Sequence, residues 1–269
     1  MLTLDILICT LNAGIHRVGD VLLPAQPGVH YVISWQRDGY DCLIPANLQR
    51  NDVTITKLSG RGLSRNRNNA VDHSTADICL IADDDVTYSP NSFRAIISTF
   101  EANPSLDVAT FRSASTSEKK LYPDYSFSLD KPAKNYYVSS IEIAFRRSSI
   151  TGKLRFNELL GLGAPVLHAG EESVFIIEAV RYGLDCRFFP ITIVTHNHPT
   201  TGLNYEQTPG TIMAQGAYIC IAYRDHTAPI RYVLKAWRMS RSTGTGFFRA
   251  LFYITKGATY ARRHLNILK

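Results

Sequence analysis

Four short runs of apolar and β-branched residues, 4–9 ("LDILIC"), 29–34 ("VHYVIS"), 53–58 ("VTITKL") and 78–82 ("ICLIA"), are each followed by polar or turn-forming residues. Their length and composition predict strands. Between the third and fourth, "GRGLSRNRNNAVDHSTAD" (60–77) reads as a glycine turn entering a helical segment. The segment "NSFRAIISTFEANP" (91–104) has helical periodicity, Ser89-Pro90 to start it and Asn103-Pro104 to stop it. Strands alternating with helices predict an α/β fold with a mainly parallel sheet, whose ligands lie at the carboxyl ends of the strands.

Beyond about residue 105 the pattern changes. Strands are expected at 107–112 and 139–145, a helix at 171–182 ("EESVFIIEAVRY"), and a strand at 187–195 ("RFFPITIVT"). After 210 the chain reads as helices, and no internal repeat is visible.

Charge changes this picture in one place. Of the formal net charge of +6, residues 220–269 carry +9, from ten Lys and Arg against the single acid Asp225, so the other 219 residues carry −3. The basic character belongs to the tail, which makes nucleic acid a weak expectation as a partner. Arg and Lys alternate there with Trp237, Phe247, Phe248, Phe252 and Tyr253. That composition suits either an anionic membrane face or packing against the domain or a second copy, as a homo-oligomer. Five scattered cysteines without a C-x-x-C pair predict free, buried thiols in a reducing compartment. With "MLTLDILICT" reading as a first strand and no run of about 18–20 apolar residues, a cytoplasmic location is expected, peripheral on a membrane at most.

The chemistry concentrates where the fourth strand ends. Asp83, Asp84 and Asp85 follow directly on "ICLIA". Adjacent carboxylates repel, so a compensating positive charge is required. A hard divalent cation bound by one or two carboxylates plus substrate phosphates is one candidate; a solvated acidic turn is the plain alternative. Arg61, Arg65 and Arg67 flank a glycine turn at a helix start, a setting suited to phosphate oxygens or to a solvated basic face. His196 and His198 alternate, so both would face one side of an extended segment, as metal or phosphate ligands or as a solvent-exposed pair.

"GLSRNRNNAV" followed by "ICLIADDDVTYSP" resembles the nucleotide-sugar-binding half of glycosyltransferase family two. "LDILICTLNAG" is similar to the family's first strand and nucleotide loop, and "FNELLGLGAPVLHAGEESVFIIEAVRYGL" (156–184) to its acceptor-side segment. "VTHNHPTTG" (194–202) resembles a His-Pro segment of a bacterial subgroup. The resemblance spans roughly 4–202. It implies a GT-A fold: a Rossmann-like, mainly parallel central sheet with helices on both faces, here with a helical C-terminal extension. The implied division is 1–210 for the glycosyltransferase domain (1–104 donor half, 105–210 acceptor half) and 211–269 for the extension.

The implied activity is inverting transfer from a nucleoside-diphosphate sugar, with uridine as the commonest nucleotide, to a glycan or lipid-linked acceptor in surface polysaccharide synthesis. Mn²⁺ or Mg²⁺ would assist. The resemblance places Thr10 and Asn12 against the nucleoside and Arg65 or Arg67 near the diphosphate. Asp83 would meet the ribose or metal-bound water, with Asp85 the principal metal ligand and Asp84 supporting. One carboxylate of Glu171-Glu172 would be the base, with Glu172 standing where the family usually has Asp. Where the family has an acid after strand two, this chain reads "ISWQRDG", leaving Gln36 or Asp38 to hold base or ribose. A sugar-phosphate nucleotidyltransferase would need a glycine-rich basic signature after strand one, which "CTLNAGIHRVG" lacks. A non-catalytic nucleotide-sugar-binding protein is the remaining alternative.

Overall fold

The computed structural model describes residues 1–115, 120–196, 208–223 and 227–265. Two compact units emerge, the first from 1–61, the described part of 65–155, and 179–196. The second takes 62–64, 156–178 and the described residues from 208 onward.

In the first unit, among the described residues, nine strands form one sheet. β1 (Leu4–Leu11), β2 (Val29–Arg37), β3 (Val53–Ser59) and β4 (Ile78–Asp83) are parallel, in the order β3-β2-β1-β4. β1 is buried along its whole length except the last residue, as an apolar strand covered on both faces must be. β5 (Val86–Thr87), β6 (Val108–Ser115), β7 (Phe127–Ser128), β8 (Ile143–Arg146) and β9 (Cys186–His196) complete the sheet. The continuous parallel run stops at β4. β8 runs antiparallel to both β4 and β6, β9 is parallel to β6, and β5 and β7 pair antiparallel with β9. The result is a mixed sheet.

The run expected as a strand from 139 begins instead with a 3-10 turn, Ser140–Glu142, and only then becomes β8. Burial of Glu142 explains the difference. Its carboxylate takes the Lys120 ammonium at 2.8 Å, the Tyr122 and Ser113 hydroxyls, and the Ser139 amide at 3.0 Å. A fully buried charge holds its position only when its oxygens are satisfied in this way. The helices α1 (Leu63–Asp72), α2 (Pro90–Ala102), α3 (Arg147–Ile150) and α4 (Glu171–Arg181) fall where the pattern places them or in short connections. α2 starts at the predicted point, with the Ser92 amide donating to Ser89 Oγ at 3.3 Å and Pro90 at its first position.

The second unit is built on α5 (Pro209–Ala222), α6 (Ala228–Ser242) and α7 (Phe247–His264). Its core joins Leu160, Leu167 and Val174 to Ile212, Ala217, Ile221, Ala236, Ile254 and Ala258. α5 and α7 touch backbone to backbone. A Cβ on Gly216 would lie 1.9 Å from the carbonyl oxygen of Ile254, and one on Gly257 the same distance from that of Met213. Two glycines therefore set the spacing of this helix pair.

Gly216→Ala or Gly257→Ala should each destabilise the second unit by about 3 kcal/mol, the upper end for overpacking, because backbone atoms cannot rotate away. Chemical denaturation followed by helical circular dichroism measures it; a loss below about 0.5 kcal/mol would contradict this packing.

Candidate functional site

Register brings the predicted residues of the first unit together. β1 pairs Cys9 with Asp83 on β4, and Thr10 and Leu11 with Trp35 and Gln36 on β2. The carboxyl ends of three parallel strands thus place Thr10, Gln36 and Asp83 along one edge, where an open α/β sheet binds ligands.

Each of the three aspartates at this edge meets a different basic side chain. Asp83 Oδ1 lies 3.5 Å from Nη2 of Arg67, whose side chain is only 1% exposed. Asp84 accepts from Arg17 Nη2 at 2.8 Å and from Thr10 Oγ1 at 2.5 Å, so both its oxygens are engaged. Asp85 Oδ1 lies 3.3 Å from His196 Nε2. The last contact follows from the sheet, because β5 pairs Val86 directly with His196 on β9. Asp84 raises the Arg17 guanidinium further above its ordinary value, chiefly through the hydrogen bond. Cys9, buried beneath, is pushed up to about 12 by desolvation, with Arg67 pulling the other way. It is no nucleophile.

The loop after β1 is locked from several sides. Asn12 adopts φ 50, a left-handed conformation that asparagine tolerates better than most residues. Its carbonyl accepts Trp35 Nε1 at 2.9 Å and its side-chain oxygen accepts the Asp38 amide at 2.8 Å, tying the β1 loop to the end of β2. Asn66 on α1 donates to the Thr10 carbonyl at 3.1 Å. Gly14 lies so close that a Cβ there would meet Asp84 Oδ2 at 2.3 Å and Thr10 Oγ1 at 2.4 Å.

Between the paired alternatives, the surroundings differ sharply. Gln36 is buried, whereas Asp38 is exposed and held by Arg61 Nε at 2.5 Å. Arg67 is buried behind Asp83, whereas Arg65 is exposed and donates to the Ser59 carbonyl at 3.0 Å. In the second unit, Glu171 and Glu172 open α4 as expected. Glu171 is buried, its carboxyl 3.0 Å from where a Gly161 Cβ would stand, and Gly161 holds φ +97, which favours glycine. Glu172 is half-buried. His198 lies outside the described residues.

Arg17 and Gly14 had no signal in the hydrophobic pattern. They sit on two short 3-10 turns, Asn12–His16 and Val18–Asp20, that carry Arg17 back over the strand ends. Only the basic pair His16-Arg17 shortly after a strand could have suggested it.

A divalent cation has a restricted place here. Among the described residues no group of three or more His, Cys, Asp or Glu is gathered for one. Asp84 is fully engaged. Asp85 and His196, however, are spaced 3.3 Å apart, close to the ~3 Å between adjacent ligands of a six-coordinate ion with bonds of about 2.1 Å. Two protein ligands with the remainder from water and phosphate suit Mg²⁺ or Mn²⁺. The residues present therefore fit the ion.

A parallel α/β half carrying acids at its carboxyl edge, continued by a mixed half and helices, is the GT-A arrangement of nucleotide-sugar glycosyltransferases. Residues 42–160 match the model of Glycosyl transferase family 2. Among solved structures, it is similar to S. aureus TarS 1-349, with a TM-score of 0.57 at 12% identity, over 97% of this chain and 92% of that one. The same TarS fragment in complex with UDP gives 0.58 at 11%, and in complex with UDP-GlcNAc 0.59 at 11%, with the same coverage. At such identity the likeness is one of fold. None of the curated proteins matches the chain.

Gly14→Ala should lower the melting temperature by several degrees, from about 1–3 kcal/mol of overpacking against Asp84. In an Asp84→Ala background more than half of that loss should vanish, since the clashing carboxylate is gone. Equal losses in both backgrounds would show that Asp84 does not occupy this cradle.

Proposed function

We propose that this nucleotide-sugar glycosyltransferase uses a uridine-diphosphate sugar and transfers it, with inversion, to a hydroxyl of a glycan or lipid-linked acceptor in surface polysaccharide synthesis. The observation that carries the reading is the row Asp83, Asp84 and Asp85 at the sheet's carboxyl edge, each met by its own basic side chain. The UDP and UDP-GlcNAc complexes of the similar TarS fold support uridine as the nucleotide.

In this reading Thr10, Asn12 and Gln36 shape the nucleoside end. Arg65, exposed at the turn, reaches diphosphate oxygens, while Arg67 holds Asp83 in place. Asp85 and His196 hold Mn²⁺ or Mg²⁺, which when bound supplies positive charge to the departing diphosphate. Glu172 accepts the acceptor hydroxyl's proton as that oxygen forms its bond to the anomeric carbon and the bond to the diphosphate breaks. One displacement inverts the configuration. Glu172 is preferred over Glu171 because Glu171 is buried against Gly161. As a general base it contributes about 10²–10⁴-fold.

A thermal-shift series with UDP-sugars tests this. A matching donor should raise the melting temperature, more with Mn²⁺ or Mg²⁺ than without, and Asp85→Asn or His196→Ala should abolish the cation-dependent part. Glu172→Gln should keep the donor shift and lose about 10²–10⁴-fold in transfer. A donor shift indifferent to cation would refute the metal seat, and full activity in Glu172→Gln would refute the base.

We further infer that α6 rests on an anionic membrane surface. Ala228, Tyr232, Ala236 and Met239 form its buried face. Ile230, Val233, Leu234 and Trp237, 46–63% exposed, form a second apolar stripe about opposite at helical spacing. Arg231, Lys235, Arg238 and Arg241 flank it, and α6 contains no acid. That combination suits headgroups and acyl chains together. No helix among the described residues is long and apolar enough to cross a membrane. The protein should sediment with phosphatidylglycerol vesicles and not with phosphatidylcholine alone, and Val233→Asp/Trp237→Asp should release it. A dimer in solution that these substitutions split, without vesicle binding, would assign the stripe to a second copy instead.

A further inference from the structure

The second unit contains an open cavity of about 620 Å³, outside every residue assigned above. Its wall is one stripe of α7: Phe252, Lys256, Tyr260 and Arg263, continued by His264, with His168 opposite. Spacings of four, four and three residues keep these side chains on a single helix face, over a length of about 16 Å. Among the described residues, no acidic residue lines the cavity. Among the described residues, neither Lys256 nor Arg263 makes an ion pair.

Lys256 stands 6.0 Å from the Phe252 ring centroid, and the Tyr260 and His264 rings lie 4.5 Å apart. Cations thus alternate with aromatic faces along the wall. The first turn of α5, Pro209 and Gly210, also borders the cavity and adds the positive end of its dipole to the same side.

Two cations that share one wall, with no ion pair among the described residues, repel each other, and an anion that joins them relieves that repulsion. A guanidinium and an ammonium recognise phosphate oxygens, and ring faces recognise a flat or apolar body attached to the phosphate. We propose that this cavity is a binding site for a phosphate ester bearing a ring or apolar group, on the acceptor side of the reaction. Calling the ligand an acceptor rests on the glycosyltransferase reading; binding of the phosphate ester does not.

The test uses the full chain saturated with UDP, so that a donor site is filled. Isothermal titration with phenyl phosphate should show binding, several-fold tighter than inorganic phosphate. Lys256→Ala/Arg263→Ala should weaken it at least tenfold while UDP affinity stays unchanged. Phe252→Ala should erase the preference for phenyl phosphate over phosphate and leave phosphate itself bound. Soluble dihexanoylphosphatidylglycerol, titrated in the same way, separates the two sources. If it outcompetes phenyl phosphate, the ester is a lipid headgroup; if it does not, the ester belongs to a free acceptor, and either ranking supports the site. No binding at millimolar phenyl phosphate, binding indifferent to Lys256→Ala/Arg263→Ala, or displacement of phenyl phosphate by excess UDP overturns the proposal. Failure of UDP itself to bind would count against the donor reading and leave this one to the phenyl phosphate titration.

Discussion

Three carboxylates in sequence cannot end a buried strand without positive charge close by, and the neighbourhood of β4 is organised around that requirement. The chain meets it with Arg67 from α1 and Arg17 from the loop after β1, and sets His196 from the end of β9 against the third carboxylate. The three contacts differ in kind. Arg67 is buried and Asp83 about a third exposed, so the contact sets a guanidinium held inside the protein against a carboxylate that water still reaches. Arg17 is 60% exposed, and its contribution lies in aiming Asp84 more than in stability. His196 brings an imidazole nitrogen, not a permanent charge, to Asp85.

The geometry behind this row is set by parallel pairing. Because β1 lies between β2 and β4, with register Thr10 to Trp35 and Cys9 to Asp83, the loops leaving three strands must share a small area. Such crowding is tolerable only if backbone groups are satisfied. Asn12 does this with two of its oxygens, closing the β1 loop onto Trp35 and Asp38. Lower down the same strand, Asp5 is fully buried and accepts the Thr75 and Ala76 amides at 2.7 and 3.0 Å, fixing the entry to β4. Carboxylates at both ends of β1 therefore hold the strand between its neighbours, and the site edge inherits that rigidity.

Much of this was legible in the sequence, and the reasons are specific. The strands β1 to β4 are short β-rich runs, α2 has both a cap and a stop, and each is decided within about ten residues of itself. The aspartates stood out because folding gives no reason to place three together. His196 was singled out, but its contact with Asp85 depends on an antiparallel pairing of β5 with β9 across more than 100 residues, which no local pattern encodes. Arg17 was invisible for a related reason: two 3-10 turns have no apolar period to detect. The strand expected from 139 failed where a buried Glu142 needed a capping turn, so a tertiary charge network overrode β propensity.

The second unit shows the converse limit. Gly216 and Gly257 look like weak points in helices, each costing about 1 kcal/mol against alanine in an isolated helix. In the folded unit they are what permits α5 and α7 to meet through their backbones. Close contact of that kind uses small residues on the inner faces, Ala217, Ala250, Ala258 and Ala261 among them, all fully or almost fully buried. The larger buried side chains, Ile212, Ile221 and Ile254, stand beside these small ones in the same core. Phe248 and Phe252 on α7 are 83% and 59% exposed, alongside the exposed cations Arg249 and Lys256. α7 thus turns Ala250, Ile254, Ala258 and Ala261 inward and an aromatic and basic face outward, and the close helix contact rests on its small residues.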